Sequence, residues 1–123
     1  MSKKPKVKWF SKPQEEDYAA AKSYLSLLFD ERTASNYCDA LKQAPTVEFE
    51  AKDLFRASEL PLLGTNNSHV KKDQKRIMAE KKLSVLLLVG GRNGGKLLIA
   101  DGYHRLCAVY AFDENASIPC RLV

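Results

Sequence analysis

The chain has 123 residues, of which 45% are hydrophobic and 28% charged, and this composition is ordinary for one globular domain. Its longest apolar run, Leu83 to Val89 with Ser84 inside it, is too short to cross a bilayer. The basic start of the chain leads into no apolar segment of the kind that a secretory signal requires. We therefore expect a cytoplasmic protein that does not contact a membrane.

The net charge of +5 permits an anionic partner, and the excess basic residues fall in two segments. The first is an N-terminal tail that we expect to be solvated, with Lys3, Lys4, Lys6 and Lys8. The second is a later run with Lys71, Lys72, Lys75, Arg76, Lys81 and Lys82. Such runs usually mark solvated surface, but either one can also contact nucleic acid nonspecifically.

The three cysteines, Cys38, Cys107 and Cys120, have no CxxC spacing, and two of them lie in apolar patterns. Zinc sites and disulfide frameworks need paired spacings that are not found here. We expect three reduced thiols in the core of the protein, and we assign no metal-binding residue.

Two amphipathic patterns predict a pair of helices within residues 1–45, a segment that we interpret as a basic tail followed by a helical layer. Ser11 and Gln14 match a capping box, and the helix that follows presents an apolar stripe of Tyr18, Ala21, Tyr24, Leu25, Leu28 and Phe29. A second helix is expected from about Thr33 to Gln43, before Pro45, with a buried side of Tyr37, Cys38, Ala40 and Leu41. We expect this pair to serve packing alone.

The middle of the chain predicts one strand and two helices. Thr46–Glu50 alternates like a strand with one buried face, and 51–57 can form a short helix. After an irregular connection, Ser68 can cap a basic helix from about His69 to Lys82. The apolar stripe of this helix is narrow and consists of Val70, Ile77 and Met78, so its lysines should remain free.

The last third of the chain predicts a hairpin, a helix and a final strand. The apolar runs 84–89 and 97–100 flank GGRNGGK, whose Asn-Gly and Gly-Gly pairs favour the positive φ angles of a hairpin turn over a phosphate-cradling loop. A helix from Tyr103 to about Asp113 should pack on this hairpin through Leu106, Val109 and Tyr110. Residues 117–123 form a strand with Pro119 near its start or on an edge. The fold class is α+β, with a small mixed sheet, packed helices and two further helices before it.

Directly after the predicted strand, four polar or special residues occur within the five-residue stretch 101–105, namely Asp101, Gly102, His104 and Arg105, with Tyr103 between them. Free backbone N–H groups at a helix start attract anions, and Gly102 would let the backbone approach a ligand. His104 can donate hydrogen bonds, and Arg105 offers a planar fork for phosphate or a partner for a carboxylate. Asp101 can cap the helix, hold a magnesium ion or accept a proton. The turn therefore predicts a phosphate site.

The run VLLLVGGRNGGKLLIADGYHRLCAVYAFDENASIPCRLV resembles the C-terminal half of the ParB/sulfiredoxin superfamily. In that superfamily a strand, hairpin and strand lead into a G-x-H-R or related turn, a helix and a strand that opens with Ile-Pro. The resemblance covers residues 46–123, which we assign as one ParB/sulfiredoxin-like domain. It implies contact between nucleotide phosphates and Gly102, His104 and Arg105.

This chain also differs from the superfamily at positions that carry the functions of its members, so some of those functions are not expected here. Sulfiredoxin carries a nucleophilic cysteine where this chain has Tyr103, and Cys107 follows on the apolar side of the helix, where a thiol is inert. The chain shows no helix-turn-helix like that of the chromosome-partition members, which leaves no route to specific base contacts. The superfamily also has an acidic catalytic residue in its earlier half, for which Glu48 and Glu50 are candidates by region.

These observations lead to two expectations about function. The first is a protein that binds ATP or another nucleoside triphosphate, with or without Mg²⁺, and acts as a small phosphotransferase or nucleotide hydrolase. Asp101 and His104 would be catalytic, and phosphate would be bound by Gly102, Tyr103, His104, Arg105, His69 and Lys72. The second is a non-enzymatic module that uses the same fold to bind nucleic acid or protein.

Overall fold

A computed structural model describes residues 5–91 and 94–123. Lys3 and Lys4 of the basic tail, and Arg92 and Asn93 of the predicted turn, lie outside the described residues. Along the described residues the elements are β1 (Lys8–Trp9), α1 (Glu15–Leu28), α2 (Glu31–Gln43), β2 (Thr46–Glu50), α3 (Ala51–Ser58), α4 (Ser68–Met78), β3 (Lys82–Leu83), β4 (Leu86–Val89), β5 (Leu98–Asp101), α5 (Tyr103–Phe112) and β6 (Ser117–Leu122). The α+β class predicted from the sequence is confirmed.

Four strands form a mixed sheet in the order β2-β6-β4-β5. The pairs β2–β6 and β4–β5 are antiparallel, and β4–β6 is parallel. The predicted hairpin is thus confirmed by the pairing of β4 with β5, and Gly94 in its turn has a φ of +77°. The strand β6 is internal, and Pro119 lies near its start, before pairing with β4 begins at Cys120.

A layer of helices covers each face of this sheet. On one face, α1 and α2 bury a cluster of Tyr18, Ala21, Leu25, Ala34, Cys38 and Leu41 against Leu87, Val89 and Ala100 of the sheet. On the other face, α3, α4 and α5 pack on Leu86, Leu88, Ile118 and Cys120. The prediction that α5 packs on the hairpin through Leu106 and Val109 is confirmed, while Tyr110 is only half-buried and packs edge-on against Phe55.

The two-residue strands β1 and β3 form a separate parallel pair. Phe10 continues this pairing, because its backbone N–H donates to the carbonyl of Leu83 at 2.9 Å. The backbone of the expected tail is therefore fixed from Lys8 onward, although the side chain of Lys8 is 45% exposed, as expected of a solvated lysine. This pairing brings the start of α1 beside the end of α4.

Three predicted helix starts differ from the structure. The capping box of α1 is formed by Gln14 and Asp17, not by Ser11 and Gln14. Helix α2 begins at Glu31, because the side chain of Asp30 accepts from the backbone N–H of Thr33. Helix α4 is capped by Asn67 rather than Ser68, and it ends at Met78, before Lys82.

Several predicted burials are also wrong. Helix α1 exposes Tyr24 and Leu28, α2 exposes Ala40, and Met78 on α4 is 64% exposed. Strand β2 is exposed along its whole length, although its alternation predicted one buried face. β2 is an edge strand, and neither of the two core clusters includes a residue of it. None of the described helices is long and apolar enough to span a bilayer.

Candidate functional site

A pocket of about 410 Å³ opens at the N-terminus of α5, between α4, β3 and the start of α1. Its polar walls hold every residue that the sequence predicted for the site: Asp101, Gly102, Tyr103, His104, Arg105, His69 and Lys72. Residues that the sequence did not assign to the site also line the pocket; they come from the start of α1, from α4, and from β3 and its surroundings, and they are Phe10, Gln14, Glu16, Asp17, Asp73, Arg76, Lys82, Leu83 and Ser84.

The turn between β5 and α5 leaves the start of the helix without a side-chain cap. Gly102 is the N-cap residue, and no side chain among the described residues accepts a hydrogen bond from the first turn at this position. The alternative in which Asp101 caps the helix is therefore wrong, since its carboxylate bonds to Arg105 instead. The free N–H groups of this turn remain available to an anion.

Gly102 is required by the fold itself. Its φ of +109° lies in the region that favours glycine, and a Cβ there would meet Cγ of Leu86 at 2.5 Å. The same Cβ would stand 3.0 Å from Nη2 of Arg105. The sequence suggested glycine for a close approach to ligand, whereas the contacts described here are with the protein core.

Arg105 is held by the protein on three sides. Its Nε donates to the carbonyl of Ser84 at 3.0 Å, and its Nη2 donates to Oδ2 of Asp101 at 2.9 Å. Its Nη1 lies 4.0 Å from Oδ1 of Asp17, and only 17% of the side chain is exposed. Of the two roles left open for this arginine, the structure shows the pairing with carboxylate. The guanidinium does not present a free fork to the pocket.

Asp17 is the residue of this cluster that the sequence did not reveal. It is buried on α1, where its Oδ2 accepts from the backbone N–H of Gln14 at 2.7 Å. Helix α1 therefore packs on the sheet, as expected, and also lines the candidate pocket. Glu48 and Glu50, which the sequence offered as candidates for an acidic catalytic residue, are exposed on β2 and do not line the pocket. A capping-box signal at Gln14 and Asp17 could have located Asp17 but not its contact with Arg105.

Asp101 lies at the floor of the pocket in a low-dielectric setting. Burial raises the pKa of its carboxyl group above the ordinary value, although the charge and hydrogen bond of Arg105 act to lower it. The neighbouring Asp17 adds to the rise through its charge and by hydrogen bonding.

Two imidazole rings meet at one end of the pocket. The ring centroids of His69 and His104 are 4.8 Å apart, and those of His104 and Tyr103 are 5.5 Å apart. The Tyr103 hydroxyl donates to the carbonyl of Pro61, which holds this end of the pocket against the loop before α4. Burial lowers the pKa of His104, and His69 and Arg105 act in the same direction, while Asp73 opposes them.

A row of charged side chains runs along α4 beside the pocket. His69, Lys72, Asp73 and Arg76 recur at helical spacing, so they share one face of the helix. Burial raises the pKa of the Asp73 carboxyl, against the lowering effect of the cations around it. In the described part of the chain, no ion pair within 4.0 Å occupies Lys72, Arg76 or Lys82. These three cations can therefore bind an anionic ligand.

None of the three cysteines lines this pocket. All three cysteines are free and buried, as predicted, and burial raises the pKa of Cys107. Within residues 5–91 and 94–123, no group of three histidine, cysteine or acidic side chains is arranged to hold a metal ion.

The chain matches no family model, no curated protein and no solved structure.

Proposed function

We propose that the pocket at the N-terminus of α5 binds the phosphate groups of a nucleotide. The observation that carries the proposal is a helix start without a side-chain cap in a pocket that is also lined by Lys72, Arg76 and Lys82, three cations that form no ion pair within 4.0 Å in the described part of the chain. Backbone N–H groups and the helix dipole favour an anion at such a position. The pocket volume of about 410 Å³ is within the range for small ligands and cofactors.

In this proposal the phosphates contact the start of α5 and the side chains of His69, His104 and Lys72. Arg105 does not contact the phosphates but stabilises the turn between β5 and α5. Because Arg105 already bonds to Asp101 and Ser84, its role is to hold the β5–α5 junction in shape. The resemblance of ADGYHR and its flanking strands to the ParB/sulfiredoxin superfamily supports the same choice of ligand. The buried free thiols fit a reducing compartment, in keeping with a cytoplasmic protein.

For the reaction we propose phosphoryl transfer or nucleotide hydrolysis, with Asp101 and His104 as the groups that hold or move the proton. The raised pKa of Asp101 moves that group towards neutral pH, and the lowered pKa of His104 favours the neutral imidazole, which can accept a proton. Mg²⁺ usually binds one or two carboxylates together with substrate phosphates, and Asp101 and Asp73 could supply them. When bound, the ion would neutralise phosphate charge.

One observation favours the second candidate, a nucleic-acid-binding module. Lys71, Lys75 and Lys81 are exposed on α4 and just beyond it, and they do not line the pocket. A basic surface of this kind binds a phosphate backbone without base specificity, and its affinity falls steeply with salt.

The two candidates are separated by melting-temperature measurements with a panel of nucleoside triphosphates and pyrophosphate, with and without Mg²⁺. The proposal expects a concentration-dependent rise in Tm for at least one phosphate compound, as binding to the folded state requires. The same measurement with a duplex oligonucleotide tests the second candidate, the nucleic-acid-binding module. If only the duplex binds, and a Lys75→Ala, Lys81→Ala double variant weakens it, the nucleic-acid module is the correct function.

A further inference from the structure

The pocket has two chemically different ends. At one end His69 meets His104 and the start of α5. At the other end Arg76 accepts a hydrogen bond through its carbonyl from the backbone N–H of Lys81, which leads directly into β3. His69 and Arg76 are seven residues apart on α4, so the ends are separated by roughly 10 Å at the helical rise of about 1.5 Å per residue.

The far end carries an aromatic ring. Phe10 follows β1, lines the pocket, and is 37% exposed, although its backbone is fixed by a hydrogen bond to Leu83. The ammonium group of Lys82 lies 5.9 Å from the centroid of this ring, close to the outer limit of about 6 Å for a cation–π contact. Such a weak contact on a long side chain leaves the ring open to a ligand.

We infer that Phe10 is the stacking surface for the base of the nucleotide, with the phosphates at the His69–His104 end. This inference rests on the proposed function. It extends that function by assigning a contact for the base, in addition to the contacts for the phosphates. Every nucleobase has a π face, so an aromatic ring accepts bases with little sequence preference. Glu16 and Asp73 also line the pocket, and their carboxylates can accept hydrogen bonds from the hydroxyls of a ribose.

The test compares ATP with tripolyphosphate, which carries the phosphates but no base, by calorimetric titration of three variants. Phe10→Leu should weaken ATP binding at least about fivefold, the lower end of the effect of losing one base–aromatic stack, and leave tripolyphosphate binding unchanged. Phe10→Trp should retain ATP binding. Tyr24→Leu is the matched control, because Tyr24 is 38% exposed on α1 outside the pocket, and it should change neither ligand.

The outcomes distinguish this inference from the function on which it rests. If wild-type protein binds tripolyphosphate and ATP, but Phe10→Leu weakens both equally or neither, the stacking role is wrong and phosphate binding stands. If wild-type protein binds neither compound, both proposals fall. Melting temperatures of all variants without ligand show whether each is folded.

Discussion

The Nη2 atom of Arg105 donates a hydrogen bond of 2.9 Å to Oδ2 of Asp101, and this ion pair joins the end of β5 to the first turn of α5. A cation in the first turn of a helix is unfavourable to the helix dipole by roughly 0.3–1 kcal/mol. The pairing with Asp101, the nearby Asp17 and the bond to Ser84 offset that cost. The turn between β5 and α5 is therefore stabilised by contacts among the side chains of Arg105, Asp101 and Asp17.

Arg105→Ala should lower the free energy of unfolding clearly, because it leaves two part-buried carboxylates without their cation. One charge-assisted hydrogen bond contributes about 1.5–3 kcal/mol, and we expect a loss of at least that size in urea denaturation. Arg56→Ala is the control, since Arg56 is 80% exposed while pairing with Asp53 at 3.1 Å. It should change stability by no more than about 0.5 kcal/mol. Equal, small effects of the two substitutions would show that Arg105 has no structural role.

Asp101→Asn should change how stability depends on pH. Burial raises the pKa of the Asp101 carboxyl group above 3.8, although Arg105 offsets part of this effect, so ionisation is less favourable in the folded than in the unfolded chain. Its stabilising contribution is fully present below the unfolded value and is lost as pH rises through the folded pKa. The wild type should therefore lose stability relative to Asp101→Asn as pH rises from 4 towards neutrality. A difference in unfolding free energy that stays constant, or grows in favour of the wild type, contradicts this account.

His104 should make phosphate binding dependent on pH. Burial lowers the pKa of His104 below 6.5, and the neighbouring His69 and Arg105 add to this effect. A bound phosphate stabilises the imidazolium and raises that pKa, so affinity should increase as pH falls from about 8 to 6. Calorimetric titrations of His104→Gln should show a flatter pH dependence across the same range. If the affinity of this variant depends on pH as steeply as that of the wild type, His104 does not contact the bound phosphate.

The thiols should be unreactive in the folded protein. Burial raises the pKa of Cys107, and it raises the pKa of Cys120 to about 12. Since the thiolate is the reactive form, a thiol-specific reagent should label none of the three cysteines rapidly until denaturant is added. The protein should also fail to reduce a sulfinylated peroxiredoxin. Turnover that Cys107→Ser abolishes would mean that this thiol reaches solvent.

The sequence predicted the elements whose signals are local. The Asn-Gly and Gly-Gly pairs indicated the β4–β5 hairpin, and the apolar spacing after Gly102 located α5. Burial was less predictable because it depends on neighbouring layers. The alternation of Thr46–Glu50 predicts a strand equally well at an edge or in the centre of a sheet, and β2 lies at an edge.

The site was predictable where its residues are consecutive, as in Asp101 to Arg105. Asp17 was missed because its contact with Arg105 depends on how α1 packs against β5, which no local pattern encodes. Phe10 was missed for a similar reason, since the two-residue strand before it becomes a strand only by pairing with β3. Long-range pairing of this kind has no signature in a single sequence.

The central claim is that phosphate binds in the pocket beside α4, and calorimetric titration of ATP into wild type, Lys72→Ala and Lys71→Ala tests it most directly. The two lysines are adjacent and equally charged, but Lys72 lines this pocket and Lys71 lines a different surface. We predict saturable binding to the wild type, weakened about tenfold or more by Lys72→Ala, as the loss of one charge-assisted hydrogen bond implies, and unchanged by Lys71→Ala. Absence of binding to the wild type, or equal weakening by both substitutions, would contradict the claim.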